Sequence, residues 1–386
     1  MATGKELEGK TASGTTNRGA MFANRREFLG MGAMAGVGAM MAHGEPAPTA
    51  KSAAKGEVKF CVFADIHYRP GPKGFPHSTK EWLGRILDRA EKERCDFIIH
   101  CGDFCHNPHA NKDYVDYYND FRLPTYHTIG NHDDDGCSHE ETLKAYRMKS
   151  GHYFFDRNGF RFIVIDANHV RWADGKLEHY GNGNYYRKDK VPELKDFYAK
   201  GQRDAIGIVP PEQLEWLRAT IDASPHPCVC FSHQSFERPT GNPCHNGTEV
   251  RAIFDAANAK TPGKVRLVIN GHHHCDYMPV LEKIVYLDLN SANFYWMGSK
   301  YAHQNYPDSF FEANGLTPRK VGWLSWDDPL NAIVTMTADG RIRIDGMRSH
   351  FSCGVKPGMC NGCRLDSCSR PIVPKVQSVD LRMSYS

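Results

Sequence analysis

The sequence lacks the marks of several protein classes. The formal net charge is only +3 and the basic residues are scattered, so no polybasic tail or nucleic-acid-binding stripe is present. Neither a Cys-x-x-Cys-His haem motif nor a ferredoxin-type cysteine run occurs, which disfavours an electron-transfer protein. No internal repeat is found. With 40% hydrophobic and 24% charged residues, the 386-residue chain is typical of a globular protein with one large or two ordinary domains.

Residues 1–55 are predicted to be an export signal and linker. Paired arginines, Arg25 and Arg26, precede a weakly apolar run from Gly30 to Ala42, followed by small residues and prolines. This order is typical of twin-arginine export, and a disordered basic tail is the alternative. The apolar run is too short and glycine-rich to span a bilayer, and no cysteine follows it. We therefore expect no stable membrane anchor, cleavage between Ala42 and Ala54, and a periplasmic or extracellular protein delivered by the twin-arginine export machinery. Met21 is an alternative start.

Five apolar, β-favouring runs are each followed by a short polar cluster. Such runs are typical of strands buried on both faces. Open α/β sheets place their ligands at the carboxyl ends of strands, so we expect the five clusters to meet at one edge. The clusters are Asp65-Ile66-His67, Gly102-Asp103, Gly130-Asn131-His132-Asp133, Ser232-His233 and Gly271-His272-His273-His274.

The order of predicted elements indicates an α/β domain over residues 56–350. The first three strands alternate with helices near residues 79–94 and 113–121, which predicts parallel strands joined by right-handed crossovers. Two apolar runs around Arg157-Asn158-Gly159 predict an antiparallel hairpin. Residues 168–207 are polar and rich in tyrosine and glycine, and we interpret them as an insertion that could overhang the clusters.

Thirteen cysteines are present, and four of them fall in a predicted tail at residues 351–386. In an oxidising compartment Cys353, Cys360, Cys363 and Cys368 would form two disulfides. A structural zinc site using the Cys360-x-x-Cys363 pair is the alternative. The isolated cysteines on strands, such as Cys61, Cys228 and Cys230, are predicted to be core residues.

The five clusters together have the composition of a two-metal site. Carboxylate and amide oxygens combined with imidazoles suit Mn, Fe or Zn rather than Ca. Two such ions about 3.5–4 Å apart can clamp a phosphate and lower the pKa of a bound water. One carboxylate must bridge the ions, and Asp103, alone after its strand, is the natural candidate.

The ordered set of motifs resembles the calcineurin-like metallophosphoesterases over roughly residues 58–290. The resemblance implies a four-layer αββα sandwich with mixed sheets and a dinuclear centre at the strand carboxyl ends. It also implies that the nucleophile is a metal-bound hydroxide. The implied ligands are Asp65, His67 and His274 for the first metal and Asn131, His233 and His272 for the second, with Asp103 bridging.

The resemblance implies that His132 is catalytic rather than a ligand. It would contact the phosphate and protonate the leaving oxygen while held by Asp133. His273 should point away from the metals, and thiolate ligation by Cys101 or Cys105 is disfavoured. Three further histidines, at positions 106, 109 and 127, match no role in the family pattern and are predicted to be structural or at the surface.

Departures from the motifs of known subfamilies narrow the range of possible substrates. His106 replaces the tyrosine of purple acid phosphatases, and Asp133 replaces the glutamate of the related protein phosphatases. The stretch after His274 is too short for a nucleotidase substrate domain, and no duplex-binding surface is evident. We therefore predict hydrolysis of small phosphodiesters. The alternatives are a phosphomonoesterase acting on a small phosphorylated metabolite, or a non-catalytic metal-binding exported protein. Candidate substrate contacts are Tyr68, Arg69, Asn293 and Tyr295, with Phe294 and Trp296 beside them. The run from Asn293 to Trp296 could stack on a base or a sugar, and core packing is the alternative.

Overall fold

The computed structural model describes residues 56–70, 77, 79–171, 175–179, 181, 206–240, 243–297, 306–313, 322–359, 362–367 and 369–385. The predicted export signal, its cleavage site and the alternative start lie outside these residues, as does most of the predicted insertion.

The described residues contain helices on both sides of two large sheets. The helices are α1 Lys80–Lys92, α2 Lys112–Asn119, α3 His139–Ala145, α4 Pro211–Asp222, α5 Gly247–Lys260 and α6 Asp308–Ala313, with short 3-10 turns at Ser352–Gly354 and Pro357–Met359. The strands are β1 Glu57–Phe63, β2 Phe97–Cys101, β3 Thr125–Thr128, β4 Tyr153–Arg157, β5 Phe160–Val164, β6 His169–Arg171, β7 Leu177–His179, β8 Ile206–Ile208, β9 Cys228–Ser232, β10 Val265–Asn270, β11 Val280–Leu281, β12 Ile284–Asp288, β13 Phe294–Trp296, β14 Trp323–Ser325, β15 Ala332–Thr337, β16 Arg341–Asp345 and β17 Val379–Arg382.

Two six-stranded mixed sheets form the centre of the molecule. The first has the strand order β17-β16-β15-β1-β2-β3, and the second has the order β11-β12-β10-β9-β5-β4. Strands β1, β2 and β3 are parallel, as the β-α-β-α-β pattern predicted. Strands β4 and β5 form the predicted antiparallel hairpin. Because β9 and β10 are parallel to each other and to β5 and β12, their carboxyl ends lie at one edge.

The space between the sheets is filled by the inward face of each strand. In β1, Phe60 points into this central core with Val58 and Val62, whereas Cys61 and Phe63 point outward, as the period of two in a strand requires. The Phe60 ring stacks on Phe97 at 4.9 Å within its own sheet and meets Phe231 of the other sheet edge-on at 5.9 Å. Each fully buried side chain of this size contributes about 1.5–3 kcal/mol to stability.

Helices cover the outer faces of both sheets. Helix α1, in the predicted position, buries Trp82, Ile86, Leu87 and Ala90 on one face against the first sheet. Thr79 caps this helix, since its hydroxyl accepts the Trp82 amide at 3.1 Å. Helices α4 and α5 bury their apolar faces against the second sheet. The layer order is helix, sheet, sheet, helix, which confirms the predicted αββα sandwich.

The last residues of the chain are part of the sandwich. Strand β17, which the sequence pattern did not predict, pairs with β16 at the edge of the first sheet. The backbone of Gln377 donates to Asp276 at 3.0 Å, which fixes the segment before it. Cys353 is exposed and Cys363 is buried, while Cys360 and Cys368 lie outside the described residues. The choice between disulfides and zinc therefore stays a prediction.

Other sequence predictions can be compared directly. The strand cysteines Cys61, Cys228 and Cys230 are fully buried, as predicted. Helices α3 and α5 and the small sheets were not anticipated. Within the described part of the chain, no helix is long and apolar enough to cross a membrane.

Candidate metal centre

The polar clusters meet where the parallel strands end. The loops after β1, β2 and β10 carry ligand candidates with left-handed backbones: φ is 55° at Asp65, 51° at His67, 49° at Asp103, 72° at His272 and 51° at His274. Non-glycine residues rarely adopt this region, and each instance costs on the order of 1–3 kcal/mol. Backbone strain at five residues whose side chains converge is typical of a functional site.

Asp65, His67 and His274 form the first group of ligand atoms. Nε2 of His67 lies 3.1 Å from Nε2 of His274 and 3.9 Å from Oδ1 of Asp65. Nε2 of His274 lies 3.3 Å from the same Asp65 oxygen. Because Nδ1 of His274 donates to the Phe294 carbonyl at 2.7 Å, the lone pair of a neutral His274 is on Nε2 and points into the group. All three ligand side chains are buried.

Asp103, Asn131, His233 and His272 form the second group. Nε2 of His233 lies 3.2 Å from Oδ2 of Asp103, 3.1 Å from Oδ1 of Asn131 and 3.1 Å from Nδ1 of His272. Nδ1 of His233 donates to the Cys101 carbonyl at 2.8 Å, so the other ring nitrogen faces the group. The ring orientation is thus fixed by a backbone contact on the far side, the arrangement usual for metal-binding histidines.

The Asp103 carboxylate lies between the two groups. Its Oδ2 is 3.7 Å from Nε2 of His67 in the first group and 3.2 Å from Nε2 of His233 in the second. Its Oδ1 accepts the backbone amide of His132 at 2.8 Å. Asp103 is therefore the carboxylate that can bridge two ions, the position expected for it.

Glycines in the motifs allow the loops to approach this closely. A Cβ atom on Gly130 would lie 2.2 Å from Oδ1 of Asp103. A Cβ atom on Gly102, whose φ is 85°, would lie 2.3 Å from Nδ1 of His233. Any side chain at either position would displace a ligand, which explains why glycine precedes the polar residues in these two motifs.

The donor set fits divalent cations. Carboxylate oxygens, an amide oxygen and imidazole lone pairs face one another at 3.1–3.9 Å, so several acceptors converge where a cation would relieve their repulsion. Burial lowers the pKa of His67 well below its usual range and that of His272 to about 3. Neutral imidazole is the metal-binding form, so both rings are ready at neutral pH. Burial lowers the pKa of His233, but Asp103 outweighs it and raises the pKa to about 9, so this ring would release a proton when an ion binds. The residues would hold two ions, and Mn, Fe and Zn all suit them.

His132 is held by Asp135 and not, as predicted, by Asp133. Nδ1 of His132 lies 2.9 Å from Oδ2 of Asp135. Both oxygens of Asp133 are instead engaged by backbone amides, including Gly130 at 2.7 Å and Phe104 at 2.8 Å, and by the Tyr146 hydroxyl at 2.6 Å. Asp133 points into the loop backbone and joins the Asp103 loop to the His132 loop. This geometry corrects the predicted pairing.

His106 also belongs to the site, although the family pattern assigns it no role. Its Nδ1 is 2.8 Å from Oδ2 of Asp135, and its Nε2 is 3.1 Å from Nδ1 of the ligand candidate His67. His106 and His132 therefore share one carboxylate oxygen. Burial lowers the pKa of His132, but the carboxylates of Asp103 and Asp135 outweigh that effect and raise the pKa to about 9.

The flanking residues behave as the sequence predicted. His273 points away from the ligand groups and contacts the Ser235 hydroxyl at 2.9 Å. The Cys101 and Cys105 thiols belong to neither ligand group, since their Sγ atoms contact the Ile269 carbonyl at 3.9 Å and the His106 carbonyl at 3.7 Å. His127 is buried and contacts His100 at 2.7 Å, which agrees with a structural role. His109 lies near Glu141 at 3.9 Å at the surface.

The predicted substrate contacts divide into exposed and buried residues. Arg69 is exposed, and Tyr68 is half-buried with its ring stacked 3.6 Å from that of Tyr114. Asn293 has no exposed surface and donates to the Ile66 carbonyl at 3.3 Å, and Tyr295 is part of the central core. The prediction that these two buried residues contact substrate is therefore wrong.

Strand alternation explains this error. In β13, Phe294 and Trp296 lie on one face, with ring centroids 5.9 Å apart, and Tyr295 lies on the other. The Phe294 ring is 5.2 Å from that of His67 and 4.9 Å from that of His274. Trp296 is 49% exposed, so it is the aromatic residue of this strand that solvent and ligands can reach.

The family assignment follows from a match that covers more than half of the chain. The sequence model described as "Calcineurin-like phosphoesterase" matches residues 58–276. The chain belongs to the calcineurin-like phosphoesterase family. Membership supports metal-dependent hydrolysis of phosphoester bonds, which is the chemistry that the two ligand groups suit. Among curated proteins, no sequence matches this chain.

Several solved structures are similar to this chain at low sequence identity. A dimetal phosphatase from Danio rerio is 15% identical, with a TM-score of 0.50 over 85% of this chain and 99% of that one. GAP50, the anchor in the inner membrane complex of Plasmodium, is 11% identical, with a TM-score of 0.43 over 86% of this chain and 90% of that one. PhoD is 13% identical, with a TM-score of 0.44 over 87% of this chain and 70% of that one.

Proposed function

We propose that this calcineurin-like phosphoesterase hydrolyses small phosphodiesters, using two divalent ions of Mn, Fe or Zn. The observation that carries the proposal is the position of Asp103 between two groups of ligand atoms, with His132 attached to the same carboxylate through its backbone amide. The two ions would supply a hydroxide nucleophile at neutral pH and offset the negative charge that develops on the phosphate. Asp65, His67 and His274 would hold one ion, and Asn131, His233 and His272 the other.

The role we assign to His132 is proton donation to the leaving oxygen. The Asp135 carboxylate at Nδ1 stabilises the protonated imidazole, which is the form that can act as a general acid. Asp135 accepts from Nδ1, and we assign the proton transfer to Nε2, the other ring nitrogen. General acid catalysis of this kind contributes about 10²–10⁴-fold to the rate.

Charge favours the diester over the monoester. Near neutral pH a phosphomonoester carries close to two negative charges, because its second pKa is about 6, and a diester carries one. Among the ion pairs of the described residues, every partner of Asp65, Asp103 and Asp135 is a histidine. A centre with no lysine or arginine in its ion pairs suits the singly charged substrate.

The aromatic face of β13 offers a surface that a second organic group on the phosphate could contact. Phe294 contacts the rings of His67 and His274, and Trp296 extends the same face into solvent at 49% exposure. A diester has two organic groups, of which one leaves and the other stays on the phosphate. We propose that Trp296 stacks on one of these groups.

The test compares two substrates with the same leaving group. The full chain, loaded with Mn²⁺, would be assayed with bis(p-nitrophenyl) phosphate and with p-nitrophenyl phosphate. The proposal predicts a higher kcat/KM for the diester. A higher kcat/KM for the monoester would overturn the diester assignment and favour a phosphomonoesterase. Hydrolysis of neither substrate would favour a non-catalytic metal-binding protein.

We also propose that the protein acts outside the cytoplasm after twin-arginine export. The support is the paired Arg25 and Arg26 before a weakly apolar run. Substituting both arginines by lysine (Arg25→Lys and Arg26→Lys) should leave the protein in the cytoplasmic fraction, whereas the unchanged chain should be found in the periplasm or the medium. Export of the doubly substituted chain at the original level would contradict the proposal.

A further inference from the structure

A second cluster of metal-ligating side chains lies beside the catalytic loop and shares no residue with the two ligand groups. It consists of Asp134, which follows Asp133 in that loop, His139 at the start of α3, and His179 at the end of β7. Oδ2 of Asp134 lies 3.5 Å from Nδ1 of His139 and 3.4 Å from Nδ1 of His179. The two imidazole rings are 3.5 Å apart at their centroids.

The Asp134 carboxylate is buried without a hydrogen-bond donor. The residue is only 4% exposed, and both of its carboxyl oxygens are inaccessible and make no hydrogen bond. Nδ1 of His139 is likewise buried and makes no hydrogen bond. A buried carboxylate without hydrogen bonds costs several kcal/mol unless a cation or a charged partner compensates it. Oδ2 of Asp134 and the Nδ1 atoms of His139 and His179 lie close together, which indicates a ligand between them.

His179 is oriented as a metal ligand. Its Nε2 lies 3.0 Å from Oδ2 of the buried Asp166, and its Nδ1 accepts the Gly181 amide at 3.1 Å. The tautomer with the proton on Nε2 donates to Asp166 and leaves a lone pair on Nδ1, 3.4 Å from Oδ2 of Asp134, where an ion would take the place of the Gly181 amide. A carboxylate behind a histidine in this way fixes the ring and raises its basicity as a ligand. A Cβ atom on Gly181 would lie 2.5 Å from Oδ2 of Asp134, so glycine keeps this space open.

We propose that Asp134, His139 and His179 bind a third metal ion, a single Zn²⁺, separate from the dinuclear centre. Two imidazole nitrogens and one carboxylate oxygen are a ligand set typical of zinc, with the fourth position left for water. The ion ties three segments together: the loop that carries His132, the start of α3, and strand β7 of the insertion. Asp134 lies between Asp133 and Asp135, so the ion holds the loop whose neighbouring aspartates position the catalytic histidine.

A metal-free ion pair is the alternative that the experiment must exclude. A protonated His179 between Asp134 and Asp166 would also balance the charge, since both carboxylates lie within 3.4 Å of its ring nitrogens. In that arrangement His139 is not needed to balance the charge of Asp134. Zinc binding and the ion pair therefore differ in what the removal of His139 does.

The test is the metal content of the full chain after equilibration with Zn²⁺ and removal of unbound ions. We expect three zinc ions per chain in the unchanged protein, and the loss of one ion in both His139→Ala and Asp134→Asn. His109→Ala is the matched control, because it removes a nearby surface histidine that contacts Glu141 of α3, and it should keep all three ions. Circular dichroism of each variant would show that the fold is kept, and either cluster variant alone decides the outcome if the other does not fold.

Two results would overturn the proposal. One is the same zinc content in the unchanged chain and in a folded His139→Ala variant, which would favour the ion pair. The other is a loss of one ion in His109→Ala as well, which would show that the effect is not specific to the cluster. The proposed diester hydrolysis can fail without affecting either readout, because zinc content is measured in the absence of substrate.

Discussion

Nδ1 of His132 lies 2.9 Å from Oδ2 of Asp135, three residues further along the same loop. This contact fixes the orientation of the imidazole, and the backbone amide of the same residue donates to Oδ1 of Asp103. The same Asp135 oxygen accepts from His106, which in turn contacts the ligand candidate His67. The general acid and one ligand group are therefore connected through a single carboxylate, whose pKa the two histidines lower to about 2 against the effect of its burial.

Removing the Asp135 charge should weaken proton donation by His132. In Asp135→Asn we expect kcat to fall about 10–100-fold for a diester with an alkyl leaving group, the usual effect of losing a residue that orients a catalytic partner. The fall should be much smaller with a dinitrophenyl leaving group, which departs without protonation. Steady-state kinetics on matched diesters measures both effects.

His132→Ala is the reference for this comparison. It should show the same dependence on the leaving group, with a larger loss for the alkyl ester. A loss in Asp135→Asn that is equal for both leaving groups would show that Asp135 maintains the loop and does not assist proton transfer.

The Tyr146 hydroxyl should stabilise the fold through Asp133. It donates to Oδ1 of this buried carboxylate at 2.6 Å. Tyr146→Phe leaves the buried Asp133 with one hydrogen bond fewer and should lower the free energy of unfolding by about 1–3 kcal/mol. Urea denaturation of the two proteins measures the difference. Tyr117→Phe, at an exposed tyrosine of α2, is the control and should change the free energy by less than about 0.5 kcal/mol. Equal effects of the two substitutions would contradict this account.

Glu237 should make the protein less stable as the pH rises. Its two carboxyl oxygens are buried without hydrogen-bond partners, and burial raises its pKa from 4.5 to about 7. Between these two values the folded state binds more protons than the unfolded state, so the free energy of unfolding falls as pH rises from 4.5 to about 7 and then levels off. The Glu237→Gln variant should lack this contribution and gain about 2–3 kcal/mol relative to the unchanged chain at pH 8.

Denaturation at pH values from 5 to 8 measures the difference between the Glu237 variant and the unchanged chain. Glu249→Gln, at an exposed position of α5, should show no such trend. A constant difference between Glu237→Gln and the unchanged chain across this range would mean that Glu237 does not titrate there.

Trp296 should affect substrate binding more than the chemical step. Because this side chain is 49% exposed and stands on the face of β13 next to Phe294, Trp296→Ala removes a stacking surface without opening the core. A stacking interaction of about 0.5–1.5 kcal/mol corresponds to a KM for an aromatic diester that is roughly 2–10-fold higher. We expect kcat to be unchanged. An unaltered KM in steady-state kinetics would exclude Trp296 as a substrate contact.

The fold and the ligand groups could be predicted because their signals are local. A buried strand such as β1 is an apolar run, and a polar cluster directly after it must lie at the edge where parallel strands end. The positions of Asp65, Asp103 and His274 follow from this rule. The outward direction of His273 follows from the alternation of side chains along the chain.

Other features depend on backbone turns that the sequence does not reveal. Three successive aspartates follow His132, and the loop sends each in a different direction: Asp133 to the backbone, Asp134 to the second cluster, and Asp135 to His132. The run of aspartates was the signal that the histidine had more than one candidate partner. The buried side of β13 could not be predicted, because the order of Tyr295 and Trp296 in the sequence does not show which face of a short strand packs inward.

The central claim is that His272 and His274, which follow β10, hold metal for phosphodiester hydrolysis. The most direct measurement is the initial rate with bis(p-nitrophenyl) phosphate for Mn²⁺-loaded unchanged chain, His274→Ala and His273→Ala, which differ by neighbouring imidazoles. The account predicts that His274→Ala loses at least about 100-fold in rate, since it removes a ligand, while His273→Ala stays within a few-fold of the unchanged chain. A His274→Ala variant as fast as the unchanged chain, or an equal loss in both variants, would contradict it.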